Sequence, residues 1–150
     1  MRRFLYGLSA DAPPSERWHP ILPDPQTDPL NTAGDPARLP PWLTKGDLDV
    51  YTAEFERTGF RGGLNWYRNI DRNWELLAAY SRASVRQPTL FLWGDQDPAF
   101  EAPGMRKQID HMQQVVPHLR QVVLLGCGHW IQQERAKAVN EAILTFLKGL

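Results

Sequence analysis

Pro88-Thr89-Leu90-Phe91-Leu92-Trp93-Gly94-Asp95-Gln96-Asp97-Pro98 and, further along, Gln121-Val122-Val123-Leu124-Leu125-Gly126-Cys127-Gly128-His129-Trp130 are the stretches on which the fold turns. Each is a short apolar run closed by glycine and polar residues, the pattern of a strand buried in a sheet. Pro88 stands at the first position of its run, where a missing amide donor is tolerated. Between the runs, Met105, Ile109, Met112 and Val116 recur at helical spacing and stop at Pro117. After the second run, Val139, Ile143, Phe146 and Leu147 form another apolar stripe. Strand, helix, strand, helix makes a parallel sheet with covering helices, so the fold class is α/β. Two strands are too few for a stable parallel sheet, which usually has roughly four to six. The chain is expected to be a part of a larger fold.

Upstream the periodicity changes. Trp74, Leu77 and Ala78 would share one face of a helix running from about Asn65 towards Ala83, after a break at Gly62-Gly63. An earlier helix starts after Thr44, an N-cap with Asp47 three residues on, a capping box with a shortened acid. Leu48, Tyr51 and Phe55 follow at helical spacing and Gly59 is the terminator. From Asp11 to Pro41, proline recurs at 13, 14, 20, 23, 25, 29, 36, 40 and 41. Proline lacks a donor and turns its predecessor away from helix, so this segment is irregular and expected to lie across another surface.

Composition narrows the classes. The 150 residues carry a net charge of zero, which gives no field for nucleic acid or an anionic membrane. No apolar run approaches the roughly 20 residues of a membrane span. The N-terminal stretch, Met1 to Leu8, is too short and too interrupted by glycine for a signal peptide. Cys127 is the single cysteine, which excludes an intrachain disulfide and fits a reducing, cytoplasmic setting. The histidines form no metal-ligand cluster, so neither a metal nor a cofactor is expected. Nothing in the composition dictates an oligomeric state.

Ligands of open α/β sheets bind beyond the carboxyl ends of the strands. There the sequence puts an acid after one strand and His129 after the next. This matches the last two members of a nucleophile–acid–histidine triad, in which the carboxylate fixes the imidazole tautomer. A histidine after a strand is more often structural than catalytic. The upstream acid reverses that reading.

Three motifs carry a resemblance. They are Gly59-Phe60-Arg61-Gly62-Gly63-Leu64-Asn65-Trp66-Tyr67-Arg68-Asn69, then Gly94-Asp95-Gln96-Asp97, then Cys127-Gly128-His129-Trp130-Ile131-Gln132-Gln133-Glu134, followed by the Val139-Asn140 helix. From about Phe60 to Leu147 the chain closely resembles the C-terminal part of epoxide hydrolases of the α/β-hydrolase superfamily; residues 1–58 resemble the lid more loosely. The resemblance implies a partial α/β-hydrolase fold. Residues 1–85 would be a lid region with a proline-rich linker at 11–41, and 86–150 the C-terminal part of the core. It also implies a small-molecule epoxide as substrate and hydrolysis to a vicinal diol through an alkyl–enzyme ester.

By position, Asp97 matches the acid that orients the histidine, although the sequence alone permits Asp95 to take that place. His129 matches the base that activates water. Tyr67 matches one of two lid tyrosines that hydrogen-bond the epoxide oxygen. Trp66 and Trp130, beside them, are expected to contact substrate. The family's nucleophilic aspartate and oxyanion loop have no counterpart: Gly7-Leu8-Ser9-Ala10-Asp11 lacks an elbow's second glycine. Tyr6, Tyr51 and Tyr80 do not stand in the second tyrosine's context. The isolated chain is therefore expected to be inactive.

Plainer readings stand beside these. Tyr67 could pack the lid with Trp66 and Trp74. Arg61, Arg68 and Arg72 read as helix-surface or lid charges, and Cys127 as a small buried residue. A haloalkane or haloacid dehalogenase shares the fold and the ester chemistry, with Trp66, Trp74 and Asn65 as halide donors; the tyrosine in Asn-Trp-Tyr-Arg-Asn argues against it. A non-catalytic truncated product or a binding module is the remaining class.

Overall fold

The computed structural model describes residues 1–19 and 26–150. Pro20, Pro23 and Pro25 of the expected irregular segment lie outside the described residues. The two apolar runs form β1 (Thr89–Gly94) and β2 (Leu119–Leu124). They pair in parallel, with Thr89 opposite Leu119 and Gly94 opposite Leu124. The crossover helix α5 (Met105–Val115) buries Ile109, with Val116 buried just past its end. α6 (Ile131–Glu134) and α7 (Ala136–Leu147) follow β2. Leu124, Cys127 and Val139 make the centre of this half, with Leu92, Val122, Ile131 and Ala138 against them.

Only part of each expected stripe is covered. Val139 is buried, whereas Ile143 and Leu147 of the same face are exposed, as is Met105 at the start of α5. A parallel pair of strands is narrower than a helix is long, so the far turns extend past it. The fold class is as read from the sequence: α/β, with a small parallel sheet.

The N-terminal half is helical and irregular. α1 (Arg2–Gly7) was not foreseen. Leu5 within it and Leu8 at its end are buried, as are Ala12, Ala33 and Leu43 further along the chain. Of the described residues that follow, Trp18 donates its amide to Gly7 O at the end of this helix, and the Gly34 amide donates to Glu16 O. α2 (Lys45–Thr58) starts in the expected capping box, with Asp47 N donating to the Thr44 hydroxyl and Thr44 N donating to the Asp47 carboxylate. It ends at Gly59, whose φ of 67° is a left-handed conformation that glycine adopts without strain.

Two expectations are corrected here. Gly62 and Gly63 do not break the chain; they lie in α3 (Arg61–Arg68), because the reversal is already made at Gly59. The helix expected from Asn65 towards Ala83 is divided at Asn69, which ends α3 and precedes α4 (Ile70–Leu76). The Asn69 side-chain amide donates to Asn65 O, a local bond of the kind that lets asparagine interrupt helices. No helix among the described residues is long and apolar enough to cross a membrane.

Replacing Thr44 by alanine removes one side of the box and should lower stability by about 1 kcal/mol. Denaturant unfolding of the variant beside the parent checks it. An unchanged midpoint would mean that α2 does not unfold with the rest.

Candidate active site

The two strand tips meet at a contact that allows no side chains. A Cβ at Gly94 would collide with the carbonyl oxygens of Cys127 and Gly128. One at Gly128 would stand 2.5 Å from Ala10 N and 2.7 Å from Leu8 O. Three backbone segments therefore stack here: the loop after β1, the loop after β2 and the stretch following α1. Gly126, with φ 62°, makes the turn out of β2.

Asp95 and Asp97 have separate places in this stack. Asp95 Oδ1 accepts from the amides of Gly126 at 2.7 Å and Cys127 at 3.4 Å, tying one strand tip to the other. The guanidinium of Arg106 braces the same turn through Asp95 O and lies over the Trp93 ring. Asp97 caps the 3-10 turn Pro98–Glu101, its Oδ1 accepting from Ala99 N at 2.9 Å. Its Oδ2 stands 2.9 Å from His129 Nδ1. The choice left open between the two acids is settled as geometry: Asp97 is the one at the imidazole.

The Asp97 side chain is 7% exposed, whereas the His129 side chain is 41% exposed. A carboxylate at Nδ1 favours the tautomer carrying its proton there and leaves the Nε2 lone pair as the ring's basic site. The arrangement can accept a proton at Nε2 and stabilise the resulting imidazolium. Trp130 is edge-on to His129, with centroids 5.0 Å apart, and also meets Phe4 edge-on. Its indole N–H donates to Leu5 O at 2.8 Å, so α1 is hooked onto the histidine loop.

Tyr67 and Trp66 are not brought to this pair. Both lie on α3, at 73% and 80% exposure, and among the described residues no hydrogen bond or ring contact joins either to Asp97 or His129. Trp66 borders a shallow groove with Gly62, Asn65, Asn69 and Asn73. Arg68 and Arg72 make exposed bonds to Asn65 and Glu75 on their own helices, in keeping with surface charges.

The sequence reading passed over residues that hold the site. Glu134 accepts from the Ala10, Gly128 and Trp130 amides. Arg17, 8% exposed, bonds Ala12 O, Gln96 and Glu101 and so links the proline-rich segment to the acid loop. An acid spaced one helical turn after Trp130 was the available signal for Glu134. Arg17 offered none, since its partners are distant in sequence. Cys127 is fully buried, and burial, followed by the nearby Glu134 charge, pushes its thiol up to about 11.

The chain matches the family described as the alpha/beta hydrolase fold over residues 26–136. It is 41% identical to epoxide hydrolase A of Mycobacterium tuberculosis over 152 aligned positions, covering all of this chain and 45% of that protein. Epoxide hydrolase 1 of Siraitia grosvenorii is 39% identical over 86% of this chain and 41% of its own length. Among solved structures, epoxide hydrolase A from Mycobacterium thermoresistibile superposes with a TM-score of 0.85 and 45% identity, covering 99% of this chain and 45% of that one. An epoxide hydrolase from an endophytic Streptomyces gives 0.87 and 40%, covering 99% and 46%. The chain thus spans a little under half the length of these relatives.

Two outcomes follow from the packing. Gly128→Ala should cost about 1–3 kcal/mol through backbone overlap, while Gly62→Ala, with nothing within 4 Å, should be neutral or stabilising; equal unfolding midpoints would contradict the close approach. The raised Cys127 thiol makes the unfolded chain ionise first. Stability should therefore fall as pH rises from about 9 towards about 11, with that part of the slope missing in Cys127→Ala.

Proposed function

The chain belongs to the α/β-hydrolase fold family and is epoxide hydrolase-like within it; from that premise we propose that Asp97 and His129 serve the hydrolysis of an epoxide to a vicinal diol. The 2.9 Å contact between Asp97 Oδ2 and His129 Nδ1 carries the reading. In this mechanism a carboxylate from outside these 150 residues attacks an epoxide carbon. The C–O bond of the ring breaks, and an alkyl–enzyme ester with a neighbouring alkoxide results. The Tyr67 hydroxyl, brought over the pair when the lid is fully packed, donates a hydrogen bond to that oxygen as its charge develops. His129 Nε2 then takes a proton from water and the hydroxide attacks the ester carbonyl. The acyl C–O bond breaks and the imidazolium returns its proton to the departing oxygen. The carboxylic acid left on the enzyme makes up the proton that the alkoxide drew from Tyr67, and the diol leaves. The Asp97 carboxylate balances the imidazolium.

The residues named for substrate contact fit this unequally. Trp66 has an exposed indole on α3, beside Tyr67. Trp130 has its N–H occupied by Leu5 O, so it would offer substrate only ring surface. Residues 1–85 are read as the lid and 86–150 as the C-terminal core.

In the complete polypeptide that carries these residues, styrene oxide should be converted to its diol and 1-chlorobutane left untouched. Halide release without diol formation would replace the reading with a dehalogenase. His129→Gln should slow ester hydrolysis on the order of 10²- to 10⁴-fold. Tyr67→Phe should slow ester formation on the order of 10²-fold. Residues 1–150 expressed alone should form no diol; measurable turnover would show that a nucleophile lies among them.

A further inference from the structure

Three successive amides of the histidine loop point into fixed acceptors. Gly128 N donates to Glu134 Oε2 at 2.8 Å, His129 N to Leu8 O at 2.9 Å and Trp130 N to Glu134 Oε1 at 3.1 Å. Glu134 Oε2 also accepts from Ala10 N at 3.1 Å, in the segment that follows α1. We propose that Glu134 is a positioning residue for His129, its carboxylate holding the main chain on both sides of the imidazole and locking that loop to the N-terminal segment. The catalytic part of this rests on the reading of His129 as the base.

The physical case starts from the ring. Asp97 holds the imidazole at Nδ1 only. A single hydrogen bond fixes one atom and leaves the ring free to pivot unless its Cα is also fixed. Glu134 supplies the second point through the peptides on either side. An ionised carboxylate is suited to this because both oxygens accept and neither donates. Its bonds to amides are charge-assisted and correspondingly strong. Glutamine at this position would turn an NH₂ group towards an amide N–H and leave donors unpaired.

A helix-capping role explains too little. Glu134 closes the short α6, and reaching back to the Trp130 amide satisfies that helix's N-terminus. The bonds to Gly128 and Ala10 lie outside the helix and serve no cap. They meet at the one glycine that lets residues 8–10 approach the loop.

The test uses Glu134→Gln and Glu134→Asp in the complete polypeptide, read in two ways. Amide hydrogen exchange at Ala10, Gly128 and Trp130 should quicken at least about 10-fold in Glu134→Gln, with the strand amides of Leu92 and Val122 unchanged. In single-turnover reaction with styrene oxide, ester formation should stay within about twofold, while ester hydrolysis falls about 10- to 100-fold and the alkyl–enzyme accumulates. Glu134→Asp, which keeps the charge, should recover part of the hydrolysis rate. Unchanged exchange at those amides overturns the proposal. So does an equal loss in both chemical phases, which marks general destabilisation, or hydrolysis at the parental rate. A parent enzyme that forms no diol overturns the base role of His129, and the exchange measurement alone then decides whether Glu134 holds the loop.

Discussion

The contact of bare backbone at the strand tips underlies everything else. Gly94 lies against the Cys127 and Gly128 carbonyls, and Gly128 lies against residues 8–10. A methyl group at either position would push the loops apart by more than a hydrogen bond can span. Because the backbones touch, short side chains suffice to bridge them. Asp95 reaches two amides of the opposite loop, and Asp97 reaches the imidazole while also capping its own turn.

The carboxylates of the region divide the work by what they accept from. Asp95 and Glu134 accept from backbone amides and hold loops together. Asp97 divides its oxygens between a bond to an amide and one to a ring nitrogen. Placing it at 5% exposure keeps water from competing for that bond. The fixed acceptors spare the histidine loop the cost of buried, unpaired amides, which would otherwise favour its opening.

The strands, α5, α7 and the α2 capping box were legible because each is set by near neighbours: apolar periodicity, a terminating glycine, a Thr–Asp spacing. That a strand-tip acid would meet the strand-tip His129 was legible for a related reason, since the two need only adjacent strands; which acid, Asp95 or Asp97, was not. The division of a single helix at Asn69 was not legible, because an asparagine inside an apolar pattern becomes a break only when its side chain finds a backbone carbonyl. Gly62-Gly63 misled in the opposite sense: the turn had already been spent at Gly59. α1 and Arg17 reach partners about 79 to 125 residues away, and no local pattern encodes a partner that distant. The spacing of Glu134 from Trp130 gave a local sign of one of its bonds, but not of the bond to Ala10. Tyr67 is placed by the likeness to the family, and its own surroundings do not bring it to the pair.

The attachment of the N-terminal segment has a consequence for ionic strength. Its ties to the site are a carboxylate on an amide, an indole on a carbonyl, and the buried Arg17 on the neutral Gln96 side chain and, at 3.4 Å, on Glu101. Most of the paired opposite charges among the described residues lie elsewhere, on the open faces, as at Arg2–Asp35 and Lys45–Asp49. Mobile ions screen such exposed pairs over a Debye length of about 8 Å at physiological salt. They have little purchase on contacts between an ion and a touching dipole. Added electrolyte should therefore loosen the rim of the molecule and leave the join between its halves as it was.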